Sequence, residues 1–598
     1  MNKFVKSVLA LGITSALSLS AVHAATYEVI DKGDVSLVKY SYAQQENNQG
    51  QMAISGTGIY NLPVQFQYLD EDDYDDIVRL AELQHESVHE LIDIEDESAL
   101  RAGTPTANDL SWVIRFLNSL AGSSLYQKFG DITAMRNLTG NAGDTQDFVI
   151  FDQYFPETTT LTRSTIDYVN GITNDGWIYG NASAPYTALP YIEDDGQGEH
   201  VTHWVRDFTT RAYFSPDAGE TIIELKPPTE NDNIPEALRF GGESAIFDIS
   251  DSLFAVGYAS TSIDQDAIDF ITDTSGGCAD VDILKNDYPF EVCIQRAVSS
   301  MYNTEAVKWT ISVEGETTSE ALGHLVTPHE DDEREFVNYA QAVNNQGVAV
   351  GFAHGWWDEN ETDPSDRENR HLYAVVYKNG EVKDFTEDHS EIFDSRAYDI
   401  NDAGIAVGHA KTYVNGNLRT KFYHVDTNEF DTGMTMIRPV DFFTGSSSTA
   451  RAINENGIIV GEGEVETHND STSAPRRKHA FMYEIASKTF TDLNAFLPCN
   501  SEYTIIEARD INDNNEISAS ALIKVPRRDS KGELMLDKET GEQLVEDVVR
   551  AVTLKPIAGE VEDCSVVEEK VERQGASFGF AGLFTLLILG FRRSFLKK

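Results

Sequence analysis

The chain repeats one phrase, Ala340-Gln-Ala-Val-Asn-Asn-Gln-Gly-Val-Ala-Val-Gly351, as Ala397-Tyr-Asp-Ile-Asn-Asp-Ala-Gly-Ile-Ala-Val-Gly408 and as Ala450-Arg-Ala-Ile-Asn-Glu-Asn-Gly-Ile-Ile-Val-Gly461. Apolar and polar residues alternate up to Asn-x-x-Gly, and a short β-branched run follows, which is the pattern of two antiparallel strands around a tight turn. Asn favours such turns through its side-chain hydrogen bonds, and Gly supplies the positive φ that they need. The final Gly, at a strand end, predicts a bulge or a close backbone approach.

Weaker copies extend the series to seven, at residues 43–50, 171–180, 248–257 and 510–519. In the last four copies the apolar residue before the turn recurs at intervals of 57, 53 and 58 residues, at Val343, Ile400, Ile453 and Ile511. Each interval holds a second pair of alternating segments, such as 371–377 with 382–385, so each repeat supplies the four strands of a propeller blade. We therefore predict an all-β fold, a seven-bladed β-propeller, with six or eight blades as alternatives.

The two ends of the repeat region predict how the ring closes. Tyr27-Glu-Val-Ile-Asp31 has the pattern of the last strand of a blade. We place the third strand of the final blade at Arg550-Ala-Val-Thr-Leu554 and expect the first segment to complete that blade.

The repeats resemble the HAF-type extracellular repeat of exported bacterial proteins, in which Ala-x-x-Ile-Asn-x-x-Gly-x-Val-Gly precedes a His-Ala-Phe-x-Tyr strand and an Asp-Leu strand. The latter two are present as His479-Ala-Phe-Met-Tyr483 and Phe490-Thr-Asp-Leu493. The resemblance covers most of residues 27–556 and implies a fold and a location, but no activity and no catalytic residues. The chain departs from the pattern at Leu253 and Asn515, which replace the turn Gly, and at Ala519, which replaces the final Gly.

Both ends of the chain carry targeting signals. Residues 1–24 have the composition of a secretory signal peptide, with Lys3 and Lys6 before an apolar run and Val22-His-Ala24 as a cleavage-like site. Residues 575–598, after the repeat domain of 25–574, are an apolar stretch with a basic end, and resemble a GlyGly-CTERM-like C-terminal sorting signal with Gly575-Ala576 in place of the Gly pair. The resemblance implies a rhombosortase-type intramembrane sorting protease as a partner and display at the cell surface or secretion. A permanent inner-membrane anchor facing the periplasm is the alternative.

The charge of the chain excludes one class of partner. The formal net charge is −53, and residues 25–574 alone carry −59, because the lysines and arginines of both ends are lost. A polyanion would be repelled by such a surface, so nucleic acid is excluded as a ligand. The charge also suits a saline exterior and divalent cations.

Four cysteines lie in the exported part, which favours disulfides in an oxidising compartment. Three connectivities are possible, and we prefer Cys278 with Cys293 and Cys499 with Cys564. No Cys-x-x-Cys spacing is present, which argues against metal binding by thiolates.

The alternation breaks off at about residues 70–129, where we predict a helical insertion. One amphipathic helix is predicted over 75–92 and a second over 108–120. The first contains His85-Glu-Ser-Val-His89, a match to the zincin pattern, in which His85 and His89 would bind zinc and Glu86 would polarise a water molecule. The third ligand of a zincin is missing at its usual spacing, so packing histidines are the competing interpretation.

Acidic loops and a pair of tryptophans are the other candidate sites. Residues 70–76, 329–335 and 358–366 are rich in the oxygen ligands that calcium prefers, although solvated loops have the same composition. Trp356 and Trp357 could stack on a sugar or a peptide, with burial between blades as the alternative. We count the following as candidate binding residues: Trp356, Trp357, Asp358, Asp363 and Asp366.

Three functions fit these features. The leading hypothesis is an exported binding module whose loops meet an extracellular glycan or protein. The second is an enzyme, either a zinc hydrolase or a hydrolase or lyase that uses acidic residues of the central channel. The third is a structural component of the envelope held by its tail.

Overall fold

The computed structural model describes residues 26–562 with gaps at 90, 193–199, 229–240, 298–300, 328–331, 333, 359–368, 387–388 and 468–474. Seven antiparallel sheets form a closed circle, in which the first strand of each sheet contacts the first strands of both neighbouring sheets. The predicted seven-bladed β-propeller is therefore confirmed. The predicted signal peptide and sorting tail lie outside the described residues.

The blades follow one another in chain order, and their strands are numbered in the same order. Strand β1 (Thr26–Asp31) precedes blade 1, which contains β2 (Val38–Glu46), β3 (Met52–Ile59), β4 (Ile132–Asn137) and β5 (Gln146–Asp147). Blade 2 contains β6 (Asp167–Ile172), β7 (Ile178–Ala182), β10 (Arg211–Ser215) and β11 (Ile223–Leu225), with the hairpin β8 (Thr187–Ile192) and β9 (His200–Val205) inserted between β7 and β10. Blade 3 contains β12 (Ser244–Ile249), β13 (Phe254–Ile263), β14 (Tyr302–Ile311) and β15 (Thr317–Ala321).

The later blades are more regular. Blade 4 contains β16 (Asn338–Val343), β17 (Ala349–Trp356), β18 (Arg370–Lys378) and β19 (Glu381–Asp384). Blade 5 contains β20 (Ile392–Ile400), β21 (Ile405–Val414) and β22 (Asn417–Asp426). Blade 6 contains β23 (Ser448–Ile453), β24 (Ile458–Glu464), β25 (Lys478–Glu484) and β26 (Thr489–Asp492). Blade 7 contains β27 (Thr504–Ile511), β28 (Ile517–Pro526) and β29 (Val545–Ile557). Blade 5 is the exception to four strands, since only the isolated bridge between His424 and Ile437 stands where a fourth strand would pair.

The repeated phrase forms the innermost hairpin of each blade, as predicted. A bulge interrupts the register between Ala340 and Ala342, and again at the corresponding places of blades 5 and 6. A Cβ added to Gly351 would lie 1.9 Å from the carbonyl oxygen of Tyr339 on the neighbouring strand, and a Cβ on Gly461 would lie 2.0 Å from that of Thr449. The final Gly of the phrase is therefore required by a close backbone approach, although it lies within the strand rather than at its end.

The two ends of the repeat region meet in blade 7. Strand β1 pairs with β29 from Thr26 opposite Ile557 to Asp31 opposite Val552, so the first segment does supply the fourth strand of the last blade. Directly after β1, the buried Lys32 contacts Glu46 of blade 1 at 3.0 Å and donates a hydrogen bond to the carbonyl oxygen of Gly50 at 2.8 Å. This ion pair joins blade 7 to blade 1 at the closure.

Apolar residues fill every junction between neighbouring blades. Seven buried clusters lie one at each junction, and alanines recur in them because the blades approach closely. Two further clusters lie outside the ring, one in the insertion of blade 1 and the other in an insertion of blade 3. The core is thus a circle of interfaces, and the insertions have cores of their own.

The insertion of blade 1 contains α1 (Glu71–Ser87), α2 (Glu97–Arg101) and α3 (Ala107–Ser119). Helix α1 begins earlier than predicted because Asp70 caps it and forms a capping box with Asp73. It ends at Ser87 instead of residue 92. The insertion of blade 3, between β13 and β14, contains α4 (Gln265–Thr272), α5 (Val281–Asn286) and α6 (Phe290–Ala297), which the sequence analysis did not predict. No helix within the described residues is long and apolar enough to cross a membrane.

The predicted disulfide between Cys278 and Cys293 is present, and it links α6 to the loop before α5. Cys499 is also disulfide-bonded. Its predicted partner, Cys564, lies outside the described residues.

Candidate functional site

The central channel of the propeller opens into a cavity of ≈ 320 Å³. The inner hairpins of all seven blades line this cavity, and most of the lining is polar. Every copy of the repeated phrase thus contributes its turn and the residues just before it. This convergence makes the channel the first candidate site, because polar groups from all seven blades meet at one concave surface.

Seven side chains close a hydrogen-bonded circle at the turns, which we call the rim ring. Its members, one per blade, are Asn48, Asn174, Asp251, Asn345, Asp402, Glu455 and Asp513. At each junction a backbone N–H of one blade donates to the ring side chain of the next, for example Asp402 N–H to Glu455 Oε1 at 2.7 Å and Asp513 N–H to Asn48 Oδ1 at 2.9 Å. The donor is the ring residue itself except at one junction, where it is Ser252. The remaining bonds have donor–acceptor distances of 2.8 to 3.2 Å.

The turn Asn of the phrase forms a second set of links between blades. The Nδ2 of Asn401 donates to the carbonyl oxygen of Asn454 at 3.1 Å, and the Nδ2 of Asn454 donates to that of Asn512 at 3.0 Å. The same bond joins Asn344 to Asn401, Asn512 to Asn47, and Asn47 to Thr173. At the two junctions that remain, the donor position holds Thr173 or Ser250, whose hydroxyls are shorter. The Asn of the phrase is therefore both a turn residue and a tie between blades.

Three carboxylates lie in the channel just below the rim ring, and we call them the neck carboxylates: Asp248, Asp399 and Asp510. Each accepts a backbone N–H of the following blade, from Val343 at 2.8 Å, Ile453 at 2.7 Å and Glu46 at 3.2 Å respectively. Blades 2, 4 and 6 carry small residues at the same position, Gly171, Ala342 and Ala452, and blade 1 carries Gln45. The alternation leaves room for the longer side chains, since a Cβ on Gly171 would lie 2.2 Å from Gln45 Oε1.

Burial raises the pKa of all three neck carboxylates. The pKa of Asp510 rises to about 7 and that of Asp248 to about 6, chiefly because the ionised form is poorly solvated. The pKa of Asp399 rises well above its usual value for the same reason, and the negative charges of Asp248 and Asp510 add to the effect. Near neutral pH the neck therefore holds protons that an exposed carboxylate would have lost.

A tyrosine shows how such a proton fits the hydrogen bonding. The hydroxyl of Tyr179 lies 3.0 Å from Asp248 Oδ1 and 2.9 Å from Gln45 Oε1, and that same Gln45 oxygen accepts the N–H of Ile172. One hydroxyl hydrogen cannot serve two acceptors. If Asp248 is protonated, it donates to Tyr179, which then donates to Gln45, and each group is satisfied.

Two arginines line the cavity beside the neck carboxylates. Arg451 forms a bidentate ion pair with Glu462 at 2.9 and 3.0 Å, so its charge is already matched. Arg509 is exposed and has no carboxylate partner among the described residues. The channel thus combines uncompensated carboxylates at the rim with one available cation on blade 7.

Helix α1 ends between the two histidines of the zincin motif. His85 lies in the last turn of α1, with Nδ1 2.6 Å from the carbonyl oxygen of Leu91, and His89 follows the end of the helix. The two imidazoles meet edge to face at 6.0 Å, whereas a zincin site needs both on one helical turn. In the described part of the chain, Glu86 forms no hydrogen bond or ion pair with either imidazole. Among the described residues, no group of three or more His, Cys, Asp or Glu side chains is placed to hold a metal ion.

The candidate tryptophans have different environments. Trp356 is the last residue of β17 and is buried against Phe336, with ring centroids 5.5 Å apart. Trp357 is 49% exposed, and its indole Nε1 donates to the carbonyl oxygen of His389. Asp358 is exposed next to it, while Asp363 and Asp366 lie outside the described residues. None of the described members faces the channel.

The rim ring and the neck carboxylates were not predicted as sites, because their members come from seven and from three distant copies of the phrase, respectively. A signal was present, since the residue after the turn Asn is Asn, Asp or Glu in every copy and the residue two before it alternates between acidic or amide and small. The acidic segment 70–76, considered for calcium, begins α1 and caps it.

Comparison with known proteins identifies the family. Over 69% of this chain and 56% of the other, the structure is similar to that of Trypanosoma rangeli sialidase in complex with the inhibitor DANA, at 12% sequence identity and a TM-score of 0.28. The chain thus spans little more than half of that protein, and a likeness this distant carries no functional argument. No functionally curated protein matches the sequence. The profile described as "Protein of unknown function (DUF3466)" matches residues 3–594, so the chain belongs to this uncharacterised family.

Proposed function

We propose that the protein is an exported binding module whose channel mouth takes up a cationic group, such as a Lys or Arg side chain of a protein ligand. The observation that carries the proposal is the charge of the rim ring. Asp251, Asp402, Glu455 and Asp513 have no cationic partner among the described residues. The bonds that close the ring hold Asp402, Glu455 and Asp513 beside one another, while Asp251 lies between the ring residues of blades 2 and 4.

Asp402, Glu455 and Asp513 repel one another in the absence of a ligand. The pKa of Glu455 is raised, first by burial and then by the charges of Asp402 and Asp513. A cation placed at the centre of the ring would relieve this repulsion, and the ring bonds would keep the oxygens in position before it arrives. Preorganised, uncompensated charge at a concave polar surface is typical of a recognition site.

Export rests on separate observations. Residues 1–24 have the pattern of a signal peptide, and a disulfide between Cys278 and Cys293 fits an oxidising compartment. The tail of residues 575–598 supports display at the cell surface or secretion after cleavage, with a periplasmic position on an uncleaved anchor as the alternative.

A charge-only variant tests the ligand class. Asn already occupies the ring at positions 48, 174 and 345, so the triple change Asp251→Asn, Asp402→Asn, Asp513→Asn keeps the acceptor oxygens and removes three charges. We expect hexalysine to bind the full-length protein at least about tenfold more weakly in this variant, with a smaller dependence on salt. Calorimetric titration measures both quantities, with hexaglutamate as the charge-reversed probe.

The control variant removes the same charge elsewhere, by Glu314→Gln, Glu539→Gln and Glu560→Gln, all of which are exposed and far from the channel in sequence. Its affinity for hexalysine should stay within about twofold of the wild type. Equal losses in both variants would show that the peptide senses overall charge, and the channel mouth would no longer be the site.

A second candidate function, an acid–base hydrolase or lyase, is supported by the pKa of Asp510 at about 7, since general acids and bases work best near the ambient pH. Incubation of chitooligosaccharides and peptides with the protein, followed by mass spectrometry, tests it. Products that form with the wild type but not with an Asp510→Asn variant would establish catalysis, and intact probes would leave the neck carboxylates a structural role.

A further inference from the structure

A second cavity, of ≈ 170 Å³, lies where segments from three different blades meet. Its walls come from the loop after α3 in blade 1, from the β8–β9 hairpin and the chain after it in blade 2, and from α6 in blade 3. None of these walls belongs to the repeated phrase. The cavity is thus a product of the insertions and is separate from the channel.

Hydrogen bonds and a disulfide anchor the walls of the cavity. The N–H of Trp204 donates to the carbonyl oxygen of Ser124 at 2.6 Å, and Ser124 Oγ lies 2.9 Å from His203 Nδ1, which joins the hairpin to the loop after α3. The Cys278–Cys293 disulfide fixes α6 within its own insertion. The cavity is therefore built from anchored segments.

Three cations line this cavity in a chain that has more than twice as many acidic as basic residues, 99 against 46. They are Lys128, Arg206 and Arg296, and none has a carboxylate within 4.0 Å among the described residues. Several other arginines of the protein are matched, for example Arg451 by Glu462 and Arg476 by Glu464. Three unmatched cations at one cavity of so acidic a protein call for a counter-charge.

Lys128 makes the strongest case for a ligand. Lys128 is only 8% exposed, and among the described residues its Nζ donates only to the neutral carbonyl oxygens of Leu120 and Ser123. Burial lowers the pKa of Lys128 to about 8, because no negative charge offsets the lost solvation. A buried ammonium without a counter-ion is costly, and an anion in the cavity would remove that cost.

The other available groups are also donors. The guanidinium groups of Arg206 and Arg296 lie over the rings of Tyr186 at 5.1 Å and Tyr288 at 4.2 Å, and neither makes a hydrogen bond to a described residue. The indole Nε1 of Trp204, which lines the cavity, is buried without an acceptor among the described residues. A ligand that satisfies this set must be rich in acceptors and negatively charged.

We infer that this cavity binds an oxyanion, namely a carboxylate, sulfate or phosphate group. Lys128 supplies buried charge, Arg206 and Arg296 supply the planar donor pairs that match such groups, and the rings of Tyr186 and Trp204 offer flat surfaces to an attached organic body. The inference is independent of cation binding at the channel mouth, which lies on the inner hairpins.

Calorimetric titration of the full-length protein with inorganic phosphate and with galacturonate tests this inference, with galactose as the neutral probe. We expect saturable binding of at least one anion, and a loss of at least about tenfold in affinity in the variant Arg206→Gln, Arg296→Gln. Tighter binding of phosphate would identify a free oxyanion as the ligand, whereas tighter binding of galacturonate would identify an organic acid.

The controls separate the cavity from overall charge and from misfolding. The variant Arg419→Gln, Lys524→Gln removes two cations that lie outside the cavity and have no carboxylate partner in the described part of the chain, and its anion affinity should stay within about twofold of the wild type. The single change Arg296→Gln alters an exposed side chain and should weaken binding without unfolding the protein. No saturable binding up to about 10 mM of either anion, or equal losses in both double variants, would overturn the inference.

Discussion

Blades 4–7 and blades 1–3 have the same inner hairpin but differ in what surrounds it. In blades 4–7 the turn Asn is present in every copy, and each one donates its amide to the next blade around the ring. In blades 1–3 only Asn47 does so, because Thr173 and Ser250 stand at the other two turns. The helical insertions and the added hairpin also interrupt blades 1–3.

The repeated phrase therefore encodes the contact between neighbouring blades as much as it encodes the hairpin itself. Where the phrase is intact, blades are joined by amide ties and buried apolar interfaces, and the candidate site to which they contribute is the channel. Where the phrase loosens, longer connections leave the ring and build the cationic cavity. The regular blades therefore form the frame, and the interrupted blades contribute chemistry that the repeat cannot supply.

The largest effect should come from breaking a regular blade at its final Gly. Gly461→Ala would place a Cβ 2.0 Å from the carbonyl oxygen of Thr449, so the inner strands must separate, and we expect a loss of about 3 kcal/mol in unfolding free energy. Gly445→Ala is the control in the same blade, because its Cβ would meet only the ring of Phe443 at 3.5 Å. Urea denaturation of both variants measures the difference, and equal stabilities would show that the strands can move apart at little cost.

Removing an amide tie should have the next largest effect. Asn401→Ala deletes the hydrogen bond to the carbonyl oxygen of Asn454, and it also deletes the acceptor for the N–H of Ile405, which lies at 2.9 Å. We expect the unfolding free energy to fall by about 2 kcal/mol. Ser250→Ala, at a turn without the tie, should cost less than about 1 kcal/mol. The same denaturation experiment compares them. A cost at Ser250 as large as that at Asn401 would contradict the difference between the two groups of blades.

The fold was predictable because a short segment of sequence encodes each inner hairpin and this segment recurs along the chain. Alternation around Asn-x-x-Gly identified the inner hairpins in all seven copies, and the strand-like start at Tyr27 predicted the closure through β1. The helices α4 to α6 were missed because short helices held by a disulfide and a small core give little periodic signal. The end of α1 was placed too late because apolar residues continue past Ser87 after the helix has ended.

The sites were less predictable because they depend on residues that only the closed ring brings together. A single Asp402 or Asp513 looks like an ordinary turn residue in the sequence. The rim ring forms only when the closed propeller brings the seven positions together. The cationic cavity gathers Lys128, Arg206 and Arg296 from three insertions, and no spacing in the sequence relates them. His85 and His89 show the opposite case, in which a motif is present but the helix ends between its two histidines.

The pH dependence of stability should reveal the neck carboxylates, with a moderate effect. Because the pKa of Asp510 is about 7 in the folded protein and near 3.8 otherwise, the folded state gains stability from its bound proton at low pH and loses it as the pH rises between those values. Asp510→Asn keeps an acceptor oxygen and removes this loss. Between pH 4 and pH 8 we expect the unfolding free energy of the variant to rise by about 1–2 kcal/mol relative to that of the wild type, a range reduced for solvent screening of this carboxylate. Thermal unfolding at several pH values measures the gain, and a constant difference would mean that Asp510 is ionised throughout.

The smallest effect should come from adding an amide tie between blades at the turn of an interrupted blade. Thr173 Oγ1 accepts the N–H of Trp177 at 3.1 Å, just as Asn47 Oδ1 accepts the N–H of Gln51 at 3.0 Å. Thr173→Asn should therefore keep the turn through its Oδ1 and bring its Nδ2 to the carbonyl oxygen of Ser250. We expect a gain of about 0.5–1 kcal/mol in unfolding free energy.

The matching change Ser250→Asn should give a gain of similar size at the next junction, toward Asn344, and the two gains should add, because the new bonds would lie at different blade junctions. Urea denaturation of the single and double variants measures them. If neither variant is more stable than the wild type while circular dichroism shows an intact sheet, the amide adds nothing between blades. Asn would then recur in the phrase for its turn alone, and the weaker junctions around blade 3 would need another explanation, namely the space that the insertions require.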